Sequence, residues 1–369
     1  MKPRPSITIL TPGLSAGGAQ KVAINLANEW SRLGFDVELL VLKSSGAYFD
    51  QISRKVKITI FDSKKVSYSV FALYRHLTKT KPNIVLSVIR DTNILVGFLS
   101  FFVTNIKFYG REANTMDAVF KKSFVSKYFY LKAMKLIYKR LEGIIANSSY
   151  TLNDLIKNNI EPESSCVIGN PVIAKNCENL LEAEVNDTWL NSKHLKTILS
   201  IGRLSPQKNH PLLIKAFSEV YKKHKDSRLI IIGEGNEENN LKSIINEYKL
   251  KEVVKILPFQ KNVYKYLKYA EVFVLSSIYE GFGNVVVEAL YSETEVVITN
   301  CPGGTLSIIK DGELGTIVDN GSDESLSEGI SKILSRRSHN RGSILKERAL
   351  DFNVVDMASD YLDFIIKKR

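Results

Sequence analysis

The chain has 369 residues, 44% hydrophobic and 24% charged, which supplies apolar material for two separate cores and excludes a disordered or fibrous chain. The formal charge is +12, and all of the excess lies in the first half: residues 1–178 carry 25 Lys and Arg against 13 Asp and Glu, while residues 179–369 carry 26 of each. That asymmetry points to an anionic partner for the first half, whether nucleic acid, an acidic lipid surface or a phosphorylated acceptor, the alternative being a merely solubilising excess of charge.

In chain order, residues 6–10 form a short apolar strand, too brief to be the hydrophobic region of a signal peptide despite Lys2 and Arg4 before it. A loop of small residues follows over 12–19. Residues 20–33 then repeat Val22, Leu26 and Trp30 on one helical face, and Gly34 closes the helix. Residues 37–42 read as a buried strand, and this strand–helix–strand order predicts a parallel sheet. Further strands are expected at 57–60, 84–88, 107–109 and 143–146, with a helix over 70–80. Residues 94–103 are the longest nearly apolar stretch, about half the ~20 residues of a spanning helix. The expected location is therefore the cytoplasm.

The same grammar restarts in the second half. Strands are expected at 197–201, 228–232, 253–257, 272–275 and 295–299, with helices at 210–223, 238–248, 264–269 and 284–291. An amphipathic helix over 354–368 ends the chain. Asn170-Pro171 is a turn signal, and the stretch from Ala174 to Asn191 is polar and acidic. The expected layout is a Rossmann-like domain over 1–173, a linker over 174–191, a second Rossmann-like domain over 192–350, and a terminal helix over 351–369. Cys166, Cys177 and Cys301 show neither C-x-x-C nor a histidine at ligand spacing and read as reduced and structural.

In open parallel sheets, ligands bind outside the carboxyl ends of the strands, so the loops after strands are where chemistry is expected. The first, Gly13-Leu14-Ser15-Ala16-Gly17-Gly18, joins a strand to a helix and lets backbone approach an anion; the alternative is a plain tight turn. It is not G-x-G-x-x-G, and no Walker A motif occurs. The second, residues 202–210, carries Arg203 and Lys208, a planar fork and a point charge suited to a diphosphate leaving group, or merely two surface cations. The third, residues 276–288, carries Glu280 in a glycine loop and Glu288 two turns into a helix. Eight helical residues rise about 12 Å, beyond the carboxylate spacing of a glycosidase. Separate tasks fit better: Glu280 toward a sugar and Glu288 toward ribose hydroxyls, with N–H groups at Gly283-Asn284 facing the same ligand.

Glu280 and Glu288 form E-x7-E within E-G-F-G-N-x-x-x-E-A-L; with Gly202-Arg203, Lys208 and the early Gly17-Gly18-Ala19, the chain resembles glycosyltransferase family 4 over nearly its whole length. The resemblance implies an α/β protein of GT-B architecture, two Rossmann-like parallel-sheet domains facing a central cleft. It implies that Arg203 and Lys208 bind the donor diphosphate, Glu280 the sugar and Glu288 the ribose. Gly233 falls in the family's strand-end G-x-G, and Phe259 falls where the base is held largely through backbone. With Gly281, Phe282, Gly283 and Asn284, these complete the expected donor site. Transfer with retention, needing no metal or cofactor, from a UDP-hexose or UDP-N-acetylhexosamine is implied. The acceptor expected is a polyprenyl-diphosphate-linked glycan, the alternative being a GDP-sugar used on a lipopolysaccharide core or other lipid.

One departure stands out. Many members carry a histidine near the reacting centre, where this chain reads Phe108-Tyr109-Gly110-Arg111-Glu112-Ala113-Asn114. Glu112 as a proton acceptor and Arg111 as a phosphate ligand are the candidates, against a plain pairing of the two with each other. Residues 119–141 place Lys121, Lys132, Lys135 and Lys139 on one helical face, with Lys122 beside them; Phe120, Phe124, Leu131, Met134 and Tyr138 share another. This basic amphipathic pattern suits an anionic membrane, or an ordinary helix packed on its sheet. Peripheral attachment to the inner face of the cytoplasmic membrane follows from the first reading. The rivals are a two-sheet oxidoreductase, weakened by the missing dinucleotide fingerprint, a nucleic-acid binder, for which no reader module is visible, and a transferase-like fold that only binds.

Overall fold

The computed structural model describes residues 4–15, 17–44, 46–62, 69–116, 124–336 and 341–366. The chain forms two compact units, residues 1–174 with 353–369, and residues 175–352.

In the first unit, β1 (Ile7–Thr11), α1 (Gly18–Arg32), β2 (Val37–Val41), β3 (Lys57–Ile60), α2 (Val70–Thr80), β4 (Ile84–Ser87), α3 (Arg90–Leu99), β5 (Lys107–Glu112), α4 (Phe124–Tyr138), β6 (Gly143–Ala146), α5 (Ser149–Lys157) and β7 (Ser165–Val167) follow in order. The strands form one parallel sheet ordered β3-β2-β1-β4-β5-β6-β7. β1, β2 and β4 are buried along their whole length, which is why they read as mainly apolar runs, broken in β2 by the buried Glu38, rather than as strict alternation.

The second unit runs α6 (Cys177–Leu181), β8 (Lys196–Ile201), α7 (His210–Lys223), β9 (Ser227–Ile232), α8 (Glu238–Glu247), β10 (Val254–Leu257), α9 (Tyr264–Leu267), β11 (Val272–Leu275), α10 (Asn284–Tyr291), β12 (Glu295–Thr299), α11 (Thr305–Ile308), β13 (Thr316–Val318), α12 (Asp323–Leu334) and α13 (Gly342–Leu350). Its parallel sheet is ordered β10-β9-β8-β11-β12-β13. The core beside it gathers Ile198, Phe217, Leu229, Val274 and Ile330, each fully buried.

The last helix, α14 (Val354–Ile366), returns to the first unit. Trp30 Nε1 of α1 donates to Ala358 O at 2.9 Å, and Tyr109 of β5 meets Phe364 edge-on at 5.9 Å. The apolar face seen in the sequence is thus spent on the first sheet's helices and strands. Among the described residues no helix is long and apolar enough to cross a membrane.

One expectation changes. Strand β5 does not stop at Tyr109 but continues through Gly110, Arg111 and Glu112, paired residue by residue with β6. The stretch over 94–103 is mostly helix, as the end of α3.

Candidate functional site

Strand order reverses between β8 and β11 in the second sheet, and the two strands are hydrogen-bonded neighbours. Their carboxyl ends are therefore the switch point at which such sheets bind ligands. The loop after β8 carries Arg203 and Lys208, and the loop after β11 carries Glu280.

The two loops are joined. Lys208 Nζ lies 2.5 Å from Glu280 Oε1, the two side chains being 16% and 8% exposed. Ile278 N donates to Gln207 O at 2.8 Å, and Gln207 Nε2 donates to Tyr279 O at 2.9 Å. Ser276 Oγ donates to Lys208 O at 2.9 Å, and Ser277 Oγ to Glu280 Oε1 at 2.6 Å. Arg203, in the same loop as Lys208, is exposed and holds no ion pair among the described residues.

Gly233, at the end of β9, packs against the same loop: a β-carbon there would sit on the Gly202 carbonyl oxygen, so only glycine permits the approach. Gly283 has φ +96° and caps α10 in the left-handed region, which glycine adopts without strain. Gly281 and Asn284 flank this turn; Gly281 O accepts from Gly304 N at 3.1 Å. Phe282 is 4% exposed and meets Phe352 edge-on at 5.3 Å, so its ring is packing, and only its backbone is on offer to a ligand. Glu288 is buried on α10, near enough to Tyr264 to raise that phenol, whose pKa burial already pushes well above its ordinary value. Phe259 is half-buried, and Glu234 Oε1 accepts from its backbone N–H at 3.3 Å.

His210 opens α7 directly after the Lys208 loop and is 2% exposed, with no hydrogen-bond partner at Nδ1 among the described residues. Burial, reinforced by the Lys208 charge, pushes it down to about 3, so it stays neutral across ordinary pH.

In the first unit, Gly17 is the extended N-cap residue of α1 and Gly18 its first residue, with no side chain capping the turn. Arg111 and Glu112 occupy neither an exposed loop nor a mutual pair. Both are wholly buried. Arg111 donates to Tyr361 Oη at 3.0 Å, to Val88 O at 3.1 Å and to Asn170 Oδ1. Glu112 accepts from Arg90 at 2.7 and 3.0 Å, from Asn93 at 3.0 Å and from the Tyr138 hydroxyl. Both side chains thus spend their hydrogen bonds on protein partners in this structure. The physical reason for this burial is the strand that carries both residues inward. Arg90 then reaches Asn114 O at 2.8 Å and Thr115 O at 3.3 Å, so the ion pair fixes the loop after β5.

On α4, Met134 and Tyr138 are buried against the sheet, while Lys132 and Lys135, with Lys139 just past its end, are exposed together with Tyr128, Phe129 and Leu136. Lys132 Nζ stands 4.7 Å over the Tyr128 ring. Lys121 and Lys122 lie outside the described residues, as do Phe120 and the side chain of Phe124.

Gln207, Ser276, Ser277 and Glu234 were not legible as site residues. The one signal was a pair of hydroxyl residues directly after an apolar strand.

The model of glycosyl transferases group 1 matches residues 182–349, and that of glycosyltransferase family 4 matches residues 16–175. The chain is 27% identical, over 96% of its length and 97% of the relative's, to the N-acetylgalactosamine-N,N'-diacetylbacillosaminyl-diphospho-undecaprenol 4-alpha-N-acetylgalactosaminyltransferase of Campylobacter jejuni. It is 25% identical, over 97% and 96%, to the UDP-Gal:alpha-D-GlcNAc-diphosphoundecaprenol alpha-1,3-galactosyltransferase of Escherichia coli. In fold it is similar to Anabaena HepE in complex with UDP and glucose, with a TM-score of 0.81, 17% identity, and coverage of 99% of this chain and 100% of that one. WaaG, a glycosyltransferase involved in lipopolysaccharide biosynthesis, gives 0.78 at 15% identity, with coverage of 98% and 100%.

Proposed function

The chain belongs to glycosyltransferase family 4, group 1, and on that premise we propose that it moves a hexose or N-acetylhexosamine from a UDP-sugar to a polyprenyl-diphosphate-linked glycan. The observation that carries the reading is the junction at the β8/β11 switch point, where a lysine and a carboxylate touch and an arginine with no ion pair among the described residues stands in the same loop. Arg203 and Lys208 hold the donor diphosphate and stabilise the charge that builds on it as the glycosidic bond breaks, which makes a metal unnecessary for that task. Glu280 orients the sugar through its hydroxyls, and Glu288 holds the ribose. The first turn of α10 adds N–H groups where negative charge collects. Transfer proceeds with retention.

The acceptor class rests on two full-length relatives whose names specify undecaprenyl-diphosphate substrates. The exposed face of α4, lysines interleaved with aromatics, suits attachment to the anionic membrane where such acceptors reside.

The test is a thermal-shift screen with UDP-, GDP-, ADP- and dTDP-sugars and NAD(P), each with and without EDTA, followed by transfer of the stabilising donor's sugar to short polyprenyl-diphosphate glycans. A saturable, EDTA-insensitive shift with one UDP-sugar, and an α-linked product, are expected. Stabilisation by NAD(P) alone would overturn the reading.

A further inference from the structure

Resting on the donor-site reading above, we propose that Ser277 is a positioning residue that holds the Glu280 carboxylate in place when the donor diphosphate draws Lys208 away from it.

Glu280 directs a single oxygen at the protein. Oε1 accepts from both Lys208 Nζ, at 2.5 Å, and Ser277 Oγ, at 2.6 Å, while Oε2 has no hydrogen-bond partner among the described residues. The carboxylate is thus anchored through one atom and leaves the other for a ligand hydroxyl. The two anchors differ in permanence. Lys208 sits on a four-carbon stem and is a point charge that follows negative charge. A nucleoside diphosphate brings more negative charge than one carboxylate, so its arrival moves the ammonium toward the phosphate oxygens.

Ser277 cannot follow. It is wholly buried, and its carbonyl accepts from Thr299 Oγ1 at 2.7 Å. On the other side, Glu280 N donates to Pro302 O at 2.9 Å, so the backbone between serine and carboxylate is pinned at both ends. The hydroxyl is the one anchor that remains on Oε1 once Lys208 is engaged elsewhere. Without it, the carboxylate is free to rotate about its side-chain torsions in a site where a misplacement of about 1 Å costs turnover.

Ser277 therefore serves the sugar and not the nucleotide, a division that a merely structural serine would not make. The experiment compares wild type, Ser277→Ala and Ser277→Thr by calorimetric titration of UDP, by titration of the UDP-sugar that stabilises the wild type most, and by the rate at which that donor is hydrolysed. Ser277→Ala is expected to keep its UDP affinity within about twofold and to lose about tenfold or more in donor turnover, the range for a hydrogen bond to a charged group. Ser277→Thr, which keeps the hydroxyl, restores most of that loss. Equal losses in UDP affinity and turnover, no loss in either, or no rescue by threonine would overturn the inference while leaving the donor reading intact. A wild type that binds UDP but no UDP-sugar would instead bring down the donor reading, and the inference with it. If Ser277→Ala does not fold, Thr299→Val, which releases the Ser277 carbonyl, carries the same expectation for turnover against UDP affinity.

Discussion

Replacing Lys208 by methionine separates the two things this side chain does. Lys208 and Glu280 form a close pair in a site only 16% and 8% exposed, so removing the ammonium leaves a nearly dry carboxylate with Ser277 as its remaining donor. Orphaning a fully buried charge costs about 3–5 kcal/mol. The surviving hydroxyl and the partial exposure of the lysine reduce that to about 2 kcal/mol here. In a domain of this size 1 kcal/mol shifts the melting temperature by about 2–4 °C, so Lys208→Met is expected to melt about 4–8 °C lower. Adding Glu280→Gln removes the orphaned charge, and the double variant should regain at least half of the loss. Yet both variants should bind UDP more weakly than wild type, by about tenfold or more, because the diphosphate has lost its cation. Scanning calorimetry with UDP titration reads both quantities. A Lys208→Met protein as stable as wild type, or a double variant less stable than the single one, would refute the buried-pair argument.

Arg203→Ala should weaken UDP binding by about 1.5–3 kcal/mol without altering the melting temperature, since the side chain is exposed and unpaired among the described residues; titration calorimetry checks this. Glu112→Gln should destabilise the protein by about 3 kcal/mol by stranding the buried Arg90 charge, measured by denaturant unfolding, with UDP affinity unchanged. His210, depressed to about 3 from an ordinary 6.5, binds its proton more readily when unfolded. Its contribution to stability is therefore complete above pH 6.5 and lost as pH falls toward 3, by about 1.4 kcal/mol per unit. His210→Gln should flatten that part of the stability–pH curve. Replacing Lys132, Lys135 and Lys139 together by glutamate should abolish co-flotation with vesicles containing anionic lipid and spare UDP binding; unchanged flotation would remove the membrane role of α4.

What the sequence determined by itself is the repeated strand–helix alternation and the loops where chemistry gathers. Periodicity and glycine punctuation are local signals, and β11 and α10, which flank the E-G-F-G loop, fall at the residues read from them. Resemblance added the donor roles, which rest on residues close in sequence to those signals. What only the tertiary structure decided is which polar groups meet. The strand read from the sequence stops at Tyr109, yet the ladder to β6 runs on through Gly110, Arg111 and Glu112. The Glu112 charge is matched by Arg90, 22 residues away in the chain, and the Arg111 guanidinium is hydrogen-bonded by the neutral Tyr361 hydroxyl, 250 residues away. No local pattern encodes such distant partners. The contact between Lys208 and Glu280 is of the same kind: each residue was visible alone, but their pairing exists because β8 and β11 lie side by side across a crossover.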